Sequence, residues 1–393
     1  MQSHDRMLRM NAFNSMLGAY RSKINMLAGT YGGSVKKDVF FAHTRNYKSA
    51  LSAALDREDI TPEVYNNLIS EVRRTLPLLH KYVAFRGKAL KVDALHLYDM
   101  SVPIVEGADI QLPYESAYDL VMEALKPLGS DYRELLSDAR QYGWIDVFEN
   151  EGKRSGAYSW GTYNAHPYVL LNYQQTTHDI FTIAHELGHA MHTHYSHKAQ
   201  CHAKSNYQIF VAEIASTVNE VLLIKHLLKT MPDKKVKKYL LSYYLDMFRT
   251  TVFRQTMFAE FERETHRLAE FNEPLTHKVL SDTYLQLNKI YYGDAVLHDE
   301  LISVEWARIP HFYRAFYVYK YATGLVSAVA IASRILSEEG SAVADYKKFL
   351  SAGGSMSPLD SLKLAGIDLT KKDTYIAAFK EFENTLQELT DGK

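Results

Sequence analysis

The stretch THDIFTIAHELGHAMHTHYS, residues 177–196, decides the fold class and most of the chemistry. Ile180, Ile183, Ala184, Leu187 and Met191 recur at helical spacing, with Thr177 or Asp179 available as N-cap. On that helix His185 and His189 are four residues apart, so their imidazoles stand one turn above each other on one face. Glu186 points beside them, about 100° round the axis. Histidines and a glutamate in this HExxH order can hold one divalent cation through both rings and leave a carboxylate free to move protons. In a chain with 17 histidines a chance match has a probability on the order of a few per cent, so a third ligand decides.

Residues 190–212 contain no Asp or Glu, and the first carboxylate reached is Glu213. It sits in NYQIFVAEIASTVNEVLLIKHLL, residues 206–228, a second helix whose apolar face is set by Phe210, Ile214, Val218 and Val221. A lone carboxylate between Ala212 and Ile214 carries a large desolvation penalty unless it meets a cation. Spacing separates the HExxH classes. A metzincin extension needs glycine at 192 and histidine at 195, where this chain has His192 and Tyr195. Thermolysin-like and aminopeptidase patterns place the third ligand at 208 or 209, which are Gln208 and Ile209. The interval of 24 residues from His189 to Glu213, on a separate following helix, suits a helical zinc peptidase of another type.

Outward from this pair, most segments keep the helical period. In Ile60–Val83, Leu68, Val72 and Leu79 mark one stripe, and Thr61-Pro62-Glu63 gives an N-cap with proline at the first helical position. Similar starts are expected at Thr276 and Thr370. DKKVKK, 233–238, reads as a solvated helix start, and AGGSMSP, 352–358, as a turn between helices. Two stretches differ. Residues 96–113 carry prolines and a β-branched run, expected as a strand or an ordered connection, and 152–173 read as a β-hairpin with a loop of four to seven residues. With no repeat, linker or composition break, the expected architecture is mainly α: one catalytic domain over 1–393. Its first part, 1–150, is mostly helical, and 151–393 holds a small sheet beside the HExxH helix and further helices.

Composition sets limits. The 393 residues carry 45 Lys+Arg against 46 Asp+Glu, a net charge of −1, which argues against a nucleic-acid partner. One cysteine, Cys201, rules out an intramolecular disulfide and a thiolate-only metal cage, and fits a reducing compartment. MQSHDRMLRMNAF lacks the apolar core of a signal peptide and no run approaches a membrane span, so a cytoplasmic protein without membrane partners is expected.

HELGHAMHTHYS followed by FVAEIASTVNE resembles oligoendopeptidase F and its relatives in the thimet-oligopeptidase group of zinc metallopeptidases. The likeness extends to GKRSGAYSWGTYNAHPYVLLNY before the helix and IPHFYRAFYVYKYATG after it, in the family's order. The resemblance implies a neurolysin-like helical zinc peptidase body, one Zn2+ per chain held by His185, His189 and Glu213, and Glu186 as the catalytic base. It places Glu220, seven residues after Glu213, as the carboxylate that fixes the tautomer of a ligating histidine. It also implies that full-length relatives have a further amino-terminal helical lobe, absent from this sequence. Self-association or a partner chain would then replace that wall of the substrate channel.

The block HFYRAFYVYKY, 311–321, holds one histidine and four tyrosines. A peptidase needs a donor for the oxyanion that forms on the attacked amide, and the family takes His and Tyr from this region. His311 and Tyr317 are the first choices and Tyr319 the next, each tyrosine having core packing as its alternative. In GAYSW, 156–160, Gly156, Ala157 and Tyr158 are candidates for pairing main chain to main chain with an extended substrate, with Tyr313 as a further contact. His192 and His194 lie off the ligand face. The expected function is a zinc-dependent endopeptidase acting on oligopeptides through activated water with Glu186 as general base. Its rivals are a zinc carboxypeptidase of related fold and an inert peptide-binding protein.

Overall fold

The computed structural model describes residues 1–392. The chain opens with α1 (Arg6–Arg21), α2 (Ile24–Thr44), α3 (Ala50–Asp56), α4 (Pro62–Leu90) and β1 (Leu95–His96). Next come α5 (Tyr114–Ala124), α6 (Ser130–Gln141), β2 (Ile145–Asp146), β3 (Tyr158–Trp160) and β4 (Tyr168–Leu170). The two motif helices are α7 (Thr177–Ala199) and α8 (Ile209–Thr230), followed by α9 (Lys234–Met247), a π-helical turn over Phe248–Phe253, α10 (Arg254–Glu270) and α11 (His277–Tyr292). After β5 (Val296–Leu297) and a 3-10 run over Glu300–Arg308 come α12 (Tyr319–Leu336), α13 (Ala342–Ser351), α14 (Pro358–Leu364) and α15 (Asp373–Asp391). The chain is mainly α with a small sheet, as its periodicity indicates.

Contacts divide the chain into two compact units. Met1–Ile104, Leu245–Ala322 and Leu386–Lys393 form the first; Val105–Tyr244 and Thr323–Thr385 form the second. Units assembled from separated segments need no linker, which is why no composition break marks them.

In the first unit, the stripe on α4 is real: Leu68, Val72 and Leu79 are buried, each stabilising the fold by roughly 1.5–3 kcal/mol relative to exposure. Phe13 and Leu17 of α1 pack with Tyr98, Ile302 and Val304. Pro62 occupies the first turn of α4 behind Thr61, and the Thr276 hydroxyl caps α11 by accepting from the Val279 amide. Residues after β1 form an ordered connection, where buried Arg86 donates to the Val102 carbonyl at 2.6 Å and to Asp246 at 2.9 Å.

In the second unit, β4 is the middle strand, with β2 parallel on one side and β3 antiparallel on the other. The hairpin pairs Tyr158 with Leu170 and Trp160 with Tyr168, so its loop is residues 161–167. β3 is therefore an edge strand. Two expected caps need correction. α7 is capped by Thr176, in a box where Asp179 accepts from the Thr176 amide at 3.0 Å. Thr177 is instead buried, its hydroxyl accepting from the Ile110 amide at 2.7 Å. Thr370 caps no helix, because Asp368 takes its amide and hydroxyl in a local turn and α15 starts three residues later, at Asp373.

Candidate active site

A glycine inside a helix destabilises it by about 1 kcal/mol against alanine, and Gly188 sits in the middle of α7. Packing explains it. A Cβ there would lie 2.5 Å from the Ser216 Cα and 2.6 Å from the Ala215 carbonyl oxygen, so α7 and α8 cross backbone to backbone at this point. Asn219 fixes the crossing: its side-chain amide donates to the Ala184 carbonyl at 3.0 Å, and its oxygen accepts from the buried Tyr132 hydroxyl at 3.1 Å. The crossing brings a carboxylate of α8 within reach of the α7 histidines.

The three expected ligands converge. Nε2 of His185 and Nε2 of His189 are 3.2 Å apart, and Oε2 of Glu213 lies 3.5 Å from the first and 3.6 Å from the second. Tetrahedral zinc bonded at about 2.0–2.1 Å keeps its ligand atoms about 3.4 Å apart. The point equidistant from these three atoms lies about 2 Å from each. The geometry thus suits a first-row divalent cation, and so does the chemistry. Nδ1 of His185 donates to Oε1 of Glu220 at 2.5 Å, which leaves the Nε2 lone pair facing inward. Lone pairs converging on one point repel unless a proton or a cation lies between them. Among the described residues this is the one group of three or more such side chains able to hold a metal.

Electrostatics follow from burial and pairing. Burial alone would lower His185, but the Glu220 and Glu213 carboxylates overcome it and hold its imidazolium well above the ordinary histidine range. Burial would raise Glu213, yet its bonds to His185 and His189 hold it far below the usual carboxylate range. Glu186 goes the other way: burial raises it, against the pull of the two histidines. It is 6% exposed, and among the described residues its Oε2 has no hydrogen-bond partner. An unsatisfied carboxylate oxygen next to three cation-directed atoms is free to take a proton from a reactant.

Two clefts meet at Glu186. One, of about 790 Å³, is lined by Ala157, Tyr158 and Trp160 of the edge strand region together with His185, His189 and Glu213. The other, of about 540 Å³, is lined by Gly156, Ala157, Asn172, Phe181, Glu220 and Tyr243. Asn172 donates to the Arg154 and Gly156 carbonyls at 2.9 and 2.7 Å, holding the chain that leads into β3.

Peptidase family M3 has a sequence model that matches residues 1–381. The chain belongs to that family. Oligopeptidase PepF of Bacillus subtilis is 46% identical over 391 residues, covering all of this M3 chain and 58% of its own length. An oligoendopeptidase F homolog of Borreliella burgdorferi is 41% identical, over 99% of this chain and 66% of its own. The crystal structure of oligoendopeptidase-F from Enterococcus faecium superposes with a TM-score of 0.81 at 37% identity, over all of this chain and 64% of that one. A crystal structure of a Chlamydophila abortus protein gives 0.95 at 41%, over 100% and 66%. The chain thus spans about three fifths to two thirds of the length of these relatives.

The remaining candidates lie in the first unit. His311, Tyr317 and Tyr321 form a ring cluster with centroids 5.4–6.2 Å apart, and Nε2 of His311 is 3.4 Å from the Tyr321 hydroxyl. Tyr319 must be withdrawn as a donor: it is fully buried, its ring 5.0 Å from that of Tyr65. Tyr321, in the first turn of α12, joins the cluster with its ring 5.4 Å from that of Tyr317, which precedes the helix. Tyr313 places its hydroxyl 3.1 Å from that of Thr30. His192 is a core side chain stacked on Tyr207 with centroids 3.6 Å apart. Gly188 and Asn219 were missed, although a helix-interior glycine and a lone amide in an apolar run are both visible signals. Among the described residues no helix is long and apolar enough to cross a membrane.

Proposed function

We propose that the chain is a zinc-dependent endopeptidase that hydrolyses internal bonds of oligopeptides. The observation that carries this is the ligand triangle of His185, His189 and Glu213 with the unsatisfied Glu186 carboxylate beside it. His185, His189 and Glu213 would hold the zinc, which would supply Lewis acidity toward water and a peptide carbonyl. Glu186 takes the proton of the attacking water and passes it to the leaving amine, serving as base and then acid. Glu220 keeps His185 in the tautomer that presents Nε2. His311 and Tyr317, with Tyr321, donate to the oxyanion. Main-chain groups at Gly156, Ala157 and Tyr158 hold an extended peptide by strand pairing, which recognises backbone more than side chains.

Clefts on both sides of Glu186 favour an endopeptidase over a carboxypeptidase, since a chain can continue in both directions from the cleaved bond. An internally quenched peptide blocked at both ends, assayed with and without chelator beside elemental analysis of the purified chain, tests both points. Glu186→Gln should keep its zinc and lose hydrolysis by a factor of about 10³ or more. Hydrolysis at the wild-type rate by that variant would falsify the mechanism.

A further inference from the structure

Among the described residues, seven non-glycine residues have positive φ, and six of them are polar residues of the kind that tolerate it. The seventh is Phe316, at φ 57°, an aromatic residue that is 3% exposed. It lies inside the block that carries His311, Tyr317 and Tyr321. Left-handed backbone at a bulky residue persists only where its surroundings impose it, and such positions gather at functional sites.

Glu262 of α10 bonds to this residue's backbone. The side chain is fully buried, and Oε1 accepts the Phe316 amide at 2.9 Å. Among the described residues no cation pairs with Glu262, and its Oε2 has no hydrogen-bond partner. Burial pushes its carboxyl well above the usual range, and Asp38 adds to this against the Phe316 bond. The Phe316 ring is seated between Tyr65, at 5.9 Å, and His266, at 4.5 Å. From this turn the chain projects Tyr317, whose ring centroid lies 4.4 Å from the Arg314 guanidinium and 5.0 Å from the Lys320 ammonium. Lys320 is tied to Glu58.

A buried acid with one bond is a poor stabiliser, because an apolar side chain of its size would avoid the desolvation penalty. Its one bond goes to the strained residue next to Tyr317. We infer that Glu262 is a positioning residue for the reaction: its grip on the Phe316 amide holds the left-handed turn that sets Tyr317 and its partners His311 and Tyr321 in their working geometry. This rests on the proposed peptidase function.

The test compares Glu262→Met, which keeps the volume without the acceptor, with Glu262→Gln, which keeps a neutral acceptor. For Glu262→Met, hydrolysis of a doubly blocked peptide should fall about tenfold or more in kcat. KM and zinc content should hold, and the Tm should equal or exceed that of the wild type, whereas a merely structural role would lower it. Glu262→Gln should recover most of the lost kcat. Full activity in the Met variant, or an equal loss in both, overturns the inference. If the Met variant does not fold, exchange of the Phe316 amide in the wild-type chain decides: protection by about a hundredfold or more supports the bond and free exchange overturns it. A wild-type chain without chelator-sensitive hydrolysis overturns the functional proposal and this one with it. An active wild type with an equally active Met variant overturns only this one.

Discussion

Replacing Gly188 by alanine sets two physical effects against each other. Helix propensity favours alanine by about 1 kcal/mol. The crossing opposes it, since the added Cβ would sit 2.5–2.7 Å from three backbone atoms of Ala215 and Ser216. To reach an ordinary contact of about 3.5 Å the α8 backbone must retreat by about 1 Å. Backbone cannot swing aside as a flexible side chain can, so the overpacking penalty falls at the upper end of about 1–3 kcal/mol. A net loss of about 2 kcal/mol lowers Tm by about 4–8 °C for a cooperative unit of some 200 residues. Ser216 is three residues from Glu213, so the same retreat stretches a ligand distance of about 2 Å toward 3 Å unless Glu213 leaves its rotamer. Zinc affinity should fall about tenfold or more. Competition against a chromogenic chelator, with thermal melts of the metal-free and zinc-loaded chains, measures both effects. Wild-type zinc affinity together with an unchanged Tm would show that α7 and α8 do not cross here as described.

Glu220→Ala removes the acceptor that orients His185, so zinc affinity should drop about 10- to 100-fold, whereas Glu220→Gln, still an acceptor for Nδ1–H, should lose less. Chelator titration separates the two, and equal losses would remove Glu220's orienting role. His192 is buried and its pKa is driven down to about 3 by burial, with His189 adding to it. Its folded value lies below its unfolded one, so the stability this represents is present above the ordinary histidine range and is lost as pH falls toward about 3. His192→Phe should flatten the wild-type decline between pH 6.5 and 4 by up to about 1.4 kcal/mol per pH unit. Identical slopes in urea unfolding would mean His192 titrates normally. Tyr317→Phe and Tyr321→Phe should each lower kcat by about tenfold or more, while Tyr319→Phe leaves it within about twofold; a large loss for Tyr319 would reinstate it.

The convergence of His185, His189 and Glu213 was legible because each side chain leaves a local trace. Histidines four apart on a helix share a face whatever the rest of the chain does, and Glu213 stands out as a carboxylate inside an apolar run. Helix class and the β3–β4 hairpin were legible for the same reason: periodicity and turn residues act over a few positions. What needed coordinates was everything set by distant partners. Thr177 looks like a cap until the Ile110 amide claims its hydroxyl. Tyr319 and Tyr321 are indistinguishable in HFYRAFYVYKY, and only the ring of Tyr65 separates them. Two units made of interleaved segments leave no mark in composition at all.

Glu213 and Glu220 ride seven residues apart on α8, about 10 Å along its axis, and the single imidazole of His185 touches both. Helix α8 therefore works as a gauge block. A slide of α8 along its axis that tightened one carboxylate against the ring would slacken the other, so the ring tolerates one axial setting of the whole helix. Substitutions on the far side of α8, remote from any ion, would then be read out as weakened zinc uptake well before the protein unfolded.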